Sequence, residues 1–506
     1  MSLERFIADP WKTSHKAYDD SPFSIRPAPE FATAEVLVSS LYRSLGFEGY
    51  SETDVPSAGR EFDRASQHAK SSGKVQGRVG VDVWRTVLHG VLESPKQPKE
   101  SSKRFLQLSP IVPDIALYSG SARLSGNSWN PGVLIQRMVQ LGADSMAAAD
   151  DLWNRVFEAM SIGEDDDIWA RWLQEEFERR KKSGPSWGQR ALQSVVNLPD
   201  KEKLELIFPA RQFVRDIDAI LAAKRCMTRR QWVSLFEAIV RLGSATHVLW
   251  LCDVNDKLWR QVREILDGGD LCTQKQIQEK VVSCTRPYLA YGNPALPLVR
   301  EYASRYLGAR LGINLLLWHL EAMGRPVRSL SSCLDLHCLL SEVADLRPKI
   351  KGATFMAEFE SIRDKQARTM ACKMGIGARM NEFWRHALGQ RQTVNESLRG
   401  YDQSYVWRKR GEHAAAPWIV SLGPVAVLAL VHCCLREAAA PRSVQRLCQH
   451  LAWYGIEVDR DDIAKSDLGR KLRMLGLVLD SPDAESGMLL VPPFEAISAT
   501  QKGAKS

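Results

Sequence analysis

Gly184-Pro-Ser-Trp-Gly188 has the GxSxG spacing of a serine nucleophile. That chemistry needs a buried strand running into a tight elbow, so that the hydroxyl stands clear of the backbone. The residues before it, Arg179 to Ser183, read instead as a solvated helix end, and the match reads as chance. Thiols and imidazoles gather twice, as Cys333, His337 and Cys338, and as His432, Cys433, Cys434, Cys448 and His450. Zinc needs four convergent nitrogen or sulfur ligands, and on a helix only the i, i+3 and i+4 members converge. Cys448 already belongs to an apolar stripe, where free cysteine is a packing residue. Neither a metal nor a cofactor is expected. Glu412 and His413 adjoin in a loop before Pro417, and Glu358 and Glu360 fall on different helix faces, so neither pair makes an acid–base couple. GxxxxGK[ST], HExxH and GxGxxG are absent, and GIGARM at Gly375 fails at its last position. No catalytic residue is named, and the expectation leans away from an enzyme.

Cationic side chains carry the remaining chemistry. Between 351 and 411 stand Arg363, Lys365, Arg368, Lys373, Arg379, Arg385, Arg391, Arg399, Arg408, Lys409 and Arg410. Fewer acids oppose them: Glu358, Glu360, Asp364, Glu382, Glu396 and Asp402. Phe383, Trp384, Tyr401, Tyr405 and Trp407 interleave. Such groups bind phosphate by charge-assisted hydrogen bonds, although a basic run is also what a solvated helix face looks like. Farther on, Arg470 and Arg473 stand opposite the stripe Leu468, Leu472 and Leu475, with Met474 beside them and Lys471 at the edge. A recognition helix carries its phosphate- or guanine-binding arginines there. Acids offset them: Asp461, Asp462 and Asp467 nearby, and Asp480, Asp483 and Glu485 beyond. Over 442–491, seven Arg and Lys face eight Asp and Glu. A nearly neutral stretch gains little from counterion release alone.

The elements that must position these cations lie in Pro441 to Phe494. Ser443 can cap a helix whose apolar face is Val444, Leu447, Cys448 and Leu451, ended by Gly455. Ser466 or Asp461 can start the next, which Gly476 ends. Leu477 to Leu479 reads as a strand, Asp480 to Gly487 as a turn-rich tip, and Met488 to Val491 as the returning strand, halted by Pro492 and Pro493. Helix, turn, helix, hairpin is the order of a winged helix. The run LRMLGLVLD resembles the junction between recognition helix and wing in winged-helix domains, over roughly a tenth of the chain. The short strand usual between the first two helices of such domains has no obvious place.

The whole chain has 506 residues, 44% hydrophobic and 25% charged, which bounds a globular protein of several domains with a substantial core. Its net charge of +8 tolerates a nucleic-acid partner without demanding one. Ten cysteines, none before Cys226, show no disulfide framework, and MSLERFIADPWK lacks the apolar core of a signal peptide. The expected setting is cytoplasmic, with reduced thiols. The longest apolar run, Leu311 to Leu320, is broken by Asn314 and His319 and suits a buried helix, so no membrane is expected.

The expected parts are 1–110, an N-terminal helical region with a mobile polar loop (Ser51 to Arg78) and a linker (Glu93 to Arg104); 111–200, mixed and helical; and 201–350, a helical core. They continue with 351–415, a basic aromatic helical segment; 416–497, a winged-helix-like domain; and 498–506, a disordered tail. Asp166 to Lys182 reads as an amphipathic helix with Ile168, Trp169, Trp172, Leu173 and Phe177 inward, its acidic start and basic end matching the helix dipole. Thr228 caps a helix expected to end at Gly243. Leu258 to Leu266 is expected as another, ended by Gly268. Leu296 to Leu307 and Leu311 to Met323 are expected as separate helices. No fixed repeat period is found.

The fold class expected is therefore predominantly α: a multidomain, irregular helical stack with a C-terminal winged-helix domain. The function expected is that of a non-catalytic adaptor, a subunit that contacts DNA and the partner proteins of a multi-subunit assembly. A bacterial DNA-processing or defence system would suit it. Arg470, Lys471 and Arg473 are the expected groove or phosphate contacts, flanked by Arg408, Lys409 and Arg410. The alternatives are a protein–protein scaffold whose winged helix docks a partner, and an enzyme whose site is not readable.

Overall fold

The computed structural model describes residues 3–25, 33–56, 78–94, 107–121, 129–181, 184–193, 209–284, 286–352, 354–391, 401–411, 413, 415–436, 442–459, 463–479 and 488–494. The expected polar loop, linker, hairpin tip and tail lie wholly or largely outside these residues. The chain is predominantly helical, 62% helix against 5% strand, which places it in the all-α class.

The longer helices before residue 223 are α1 (Ala34–Gly46), α2 (Pro131–Gly142), α3 (Met146–Met160), α4 (Ile168–Arg180) and α5 (Ala210–Ala222); shorter ones include Leu3–Ala8, Lys16–Asp19 and Val81–Thr86. Local caps set their starts. Asn130, Ser145 and Asp167 each accept a bond from an amide of the first turn of α2, α3 and α4. The acidic run before α4 is thus a helix start. The inward face of α4 differs from the expected one: Ile168 is 77% and Trp169 38% exposed. Ala170, Leu173 and Phe177 face inward together with a buried Glu176–Arg180 ion pair. Counting large apolar residues passes over small Ala170 and the mutually neutralised pair, and so rotates the helix wrongly.

The axis of the fold is α6 (Arg229–Leu266), 38 residues long and begun by a reciprocal Thr228–Gln231 capping box. Its apolar window has the length and hydropathy of a membrane span, and all of that window is buried inside the protein. Around it pack α1, α5, α7 (Leu296–Ala322), α8 (Cys333–Gly352), α11 (Gly375–Leu388) and α12 (Pro424–Leu435), with α9 (Phe355–Lys365) and α10 (Ala367–Met370) against α7. The expected break at Gly243 does not occur. A Cβ there would run into the Phe213 ring, so this glycine admits α5 rather than ending α6. The expected break near Gly308 is also absent, and Gly312 inside α7 lies against Trp259 in the same way. Gly243→Ala is therefore expected to destabilise by about 1–3 kcal/mol through overpacking, and Phe213→Leu to recover part of that loss; urea titration of the single and double variants checks both.

His247, midway along α6, is fully buried and stacks on Trp250 at 5.2 Å. Neither ring nitrogen has a hydrogen-bond partner among the described residues. Burial, aided by the Arg137 charge, pushes its pKa from 6.5 down to about 3. The folded state therefore holds it neutral while the unfolded chain takes up a proton below pH 6.5. Stability is expected to fall as pH drops from 6.5 toward 3, by about 2 kcal/mol at pH 5. His247→Phe should remove that part of the pH dependence in denaturant titrations.

Among the described residues, six short strands accompany the helices: β1 (Leu289–Ala290), β2 (Trp407–Lys409), β3 (Trp418–Val420), β4 (Ile456–Glu457), β5 (Val478–Leu479) and β6 (Leu489–Leu490). β2 and β3 form an antiparallel hairpin after α11. The C-terminal elements are α12, α13 (Val444–Ala452), α14 (Asp467–Met474) and the antiparallel β5–β6 pair. Leu468 and Leu472 of α14 and Val444, Leu447, Cys448 and Leu451 of α13 are buried. Gly455 and Gly476 take positive φ, +71° and +67°, where the chain leaves each helix. Ser466 caps α14.

Ser443 makes no side-chain cap. It pairs instead with Leu489, and the Leu490 amide donates to Arg442 O at 2.7 Å, so residues 442–443 lie in a ladder position beside β6. Strand pairing and a buried carboxylate help tie these elements to the rest of the chain. β4 pairs in parallel with β1. Buried Asp216 on α5 accepts from Tyr454 at 2.7 Å and meets His450 Nε2 at 2.8 Å.

Candidate nucleic-acid interface

Three of the six expected cations converge on one carboxylate. Asp467, in the first turn of α14, lies 3.3 Å from Arg408, 3.8 Å from Arg470 and 2.8 Å from Lys471. Arg408 comes from β2; Arg470 and Lys471 come from α14 at i+3 and i+4, spacings that bring side chains together on a helix. One acid against three bases leaves a formal charge of +2.

The three cations differ in what they can still do. Arg470 is 69% exposed and Arg408 38%, whereas Lys471 is only 13% exposed. Lys471 Nζ also donates to Ser421 Oγ at 2.8 Å and to Leu422 O at 2.6 Å, and it stands over the Tyr405 ring. Burial lowers the Lys471 pKa despite its bond to Asp467. Lys471 is thus an internal brace joining α14 to the chain between β3 and α12. Arg408 has a buried Nε–H with no hydrogen-bond partner among the described residues. Burial opposes ionisation of Asp467, but its bonds to Lys471 and Ser421 and the nearby positive charges outweigh it and hold the carboxyl below its usual value.

The other expected residues lie elsewhere. Side chains alternate along β2, so Lys409 projects with Trp407 to one face of the hairpin and Arg408 to the other. Lys409 Nζ stands 5.7 Å from the centre of the Trp418 ring, its cross-strand neighbour. Arg410 is exposed near the hairpin tip, its amide donating to Pro417 O at 2.9 Å. Arg473 donates to Ala464 O at 2.6 Å and approaches Met488 Sδ at 3.7 Å, bracing α14 against the preceding loop and the returning strand. The acids expected at the hairpin tip, Asp480, Asp483 and Glu485, lie outside the described residues. The residue that organises the cluster, Asp467, figures in the sequence only as an adverse charge; its i+3 and i+4 partners were the available signal.

The thiols and imidazoles are engaged separately. His337 Nδ1 meets Cys272 O at 2.8 Å, His432 Nε2 meets Ala219 O at 3.1 Å, and His450 is held by Asp216. Among the described residues, no group of three or more His, Cys, Asp or Glu is placed to hold a metal. The GxSxG segment is coil without a strand before it; Ser186 is exposed while Trp187 packs against Tyr42, Phe47 and Phe157. A cavity of about 210 Å³ opens beside Glu35, Arg230, Glu237 and Tyr401. Glu35 Oε1 accepts from Ser94 at 2.6 Å, and Glu237 accepts from Arg241 at 3.3 Å. The Asp467 cluster brings together two of the expected site arginines, Arg408 and Arg470, with their charge incompletely neutralised. No family model matches the chain, and neither a curated protein nor a solved structure does.

Proposed function

We propose that residues 416–497 form a winged helix and that the chain is a non-catalytic, nucleic-acid-contacting adaptor or subunit of a larger assembly. The element order α12, ladder residues 442–443, α13, β4, α14, β5, β6 supports the winged-helix reading, because residues 442–443 supply a strand position between the first two helices. The observation that carries the functional reading is the meeting of Arg408 and Arg470, from two separate elements, at a carboxylate that neutralises only one of its three cations. Guanidinium groups so held can each take a phosphate oxygen. Lys471 and Arg473 act as braces rather than ligands in this reading. A second reading has its own observation: Met474 is 84% and Leu479 64% exposed on the same unit, apolar surface that a partner protein could cover.

Fluorescence anisotropy of the full chain on labelled duplex and single-stranded oligonucleotides, over a range of salt, separates the two. Two phosphate contacts predict a log–log slope of about −1.8 on duplex and about −1.4 on single strands, or steeper with further contacts. A protein-docking module without nucleic-acid contact would give no salt-sensitive binding.

A further inference from the structure

The fold divides the basic aromatic stretch by side-chain type. Phe383, Trp384 and Trp407 are buried. Arg363, Lys365, Arg368, Lys373 and Arg379 are all exposed, and between 363 and 379 Asp364 is the one acid, a formal charge of +4. These cations lie at the end of α9, on α10, in the turn 371–374 and on the first turns of α11. That turn is tightly set: Cys372 takes a φ of +56°, and a Cβ on Gly377 would strike Thr369 O.

From there α11 acts as a rod. Its 14 residues span about 20 Å. Arg379, Glu382 and Arg385 follow at i, i+3 and i+6 along its outer side, with Arg385 42% exposed and 3.4 Å from Glu382. The far end lands on the β2–β3 hairpin. The Val406 amide donates to Leu388 O at 2.8 Å, the Gln390 amide donates to Trp407 O at 2.7 Å, and Gly389 lies against Trp418, over which Lys409 stands. The cations therefore continue from the turn, along α11, to Lys409. They end on the face of the hairpin opposite to Arg408 and the Asp467 cluster.

We propose that Arg368, Lys373, Arg379, Arg385 and Lys409 form a second polyanion-binding surface, along which a sugar–phosphate backbone lies on α11. This rests on the nucleic-acid reading above and adds to it a separate surface on the other face of the hairpin. A strand carries one charge per about 3.4 Å of axis, so the rod faces about six phosphates, enough for five cations. Nucleic acid fits better than a protein because protein interfaces centre on desolvated aromatic anchors, and here the aromatics face the core.

The test uses the full chain and the variant Arg368→Gln/Lys373→Gln/Arg379→Gln beside the wild type, with circular dichroism to verify folding. Loss of three contacts should lower the magnitude of the salt slope by about 2–3 on a labelled oligonucleotide. Acetylation of Lys373 in the wild type should also slow when the oligonucleotide is bound. A variant slope equal to that of the wild type, or unchanged Lys373 acetylation, overturns the second surface while leaving the Arg408–Arg470 site standing. Absence of salt-dependent binding by the wild type overturns both. Equal retention of polyglutamate and DNA at the same salt would mean that the surface reads charge alone, and would overturn the assignment to nucleic acid.

Discussion

Arg241→Met is expected to cost the folded state about 3–5 kcal/mol, the largest effect of any single substitution considered. Arg241 is fully buried in α6. Its Nε donates to Ala387 O at 2.6 Å, and its two terminal nitrogens reach Asp402 at 2.8 and 3.2 Å. One of them also reaches Gly389 O at 3.1 Å and the other Glu237 at 3.3 Å. Burial works against the charge, but Asp402 outweighs it and raises the Arg241 pKa above its usual value. Methionine fills similar volume but removes the guanidinium that binds both oxygens of the fully buried Asp402 carboxylate, which keeps the Arg391 amide at 2.9 Å. The site depends on this pair, because Ala387 and Gly389 end α11 and lead toward the hairpin that carries Arg408. Urea titration should show the loss, and Arg241→Met/Asp402→Leu should recover only part of it: an apolar pair can replace a buried ion pair at little cost, but the Arg391 and Ser404 amides lose Asp402 as their acceptor. A single variant within about 1 kcal/mol of wild type would mean that Asp402 is solvated or neutral.

Arg408→Glu/Arg470→Glu carries the second large effect. Each lost arginine contact costs about 1–3 kcal/mol, so the double variant should bind oligonucleotide from about thirty-fold to about ten-thousand-fold more weakly at fixed salt. Asp467→Asn should act in the opposite direction. It removes the carboxylate that competes with phosphate for both arginines, while Lys471 keeps Ser421 and Leu422 O as acceptors. Tighter binding by Asp467→Asn is a gain that misfolding does not produce. If Asp467 mainly positions the two arginines, the amide would weaken binding instead. Anisotropy titrations of the three proteins at one salt concentration decide the sign.

Local chemistry was legible where it acts within a turn or two. Thr228 caps the helix expected of it, Ser466, one of the two expected starts, caps α14, and Gly455 and Gly476 turn the chain out of α13 and α14. The stripe of α13 is buried residue for residue. Legibility failed where a residue serves a distant neighbour. Gly243 looks like a helix end because glycine often is one, yet it makes room for the Phe213 ring from another helix. Ser443 has the right side chain for a cap, but its backbone is claimed by Leu489 across a hairpin. The Asp467 cluster shows the same division. Its α14 members follow from helical spacing, whereas Arg408 and Ser421 lie 59 and 46 positions away in sequence. No periodicity reports contacts of that range.

Ultraviolet crosslinking of the full chain to an oligonucleotide bearing photoreactive bases, followed by peptide mass spectrometry, tests the nucleic-acid assignment most directly. Adducts are expected on the α14 peptide around Arg470 and on the β2 peptide around Arg408, and they should disappear in Arg408→Glu/Arg470→Glu. Adducts confined to other parts of the chain, or unchanged in that variant, would contradict it.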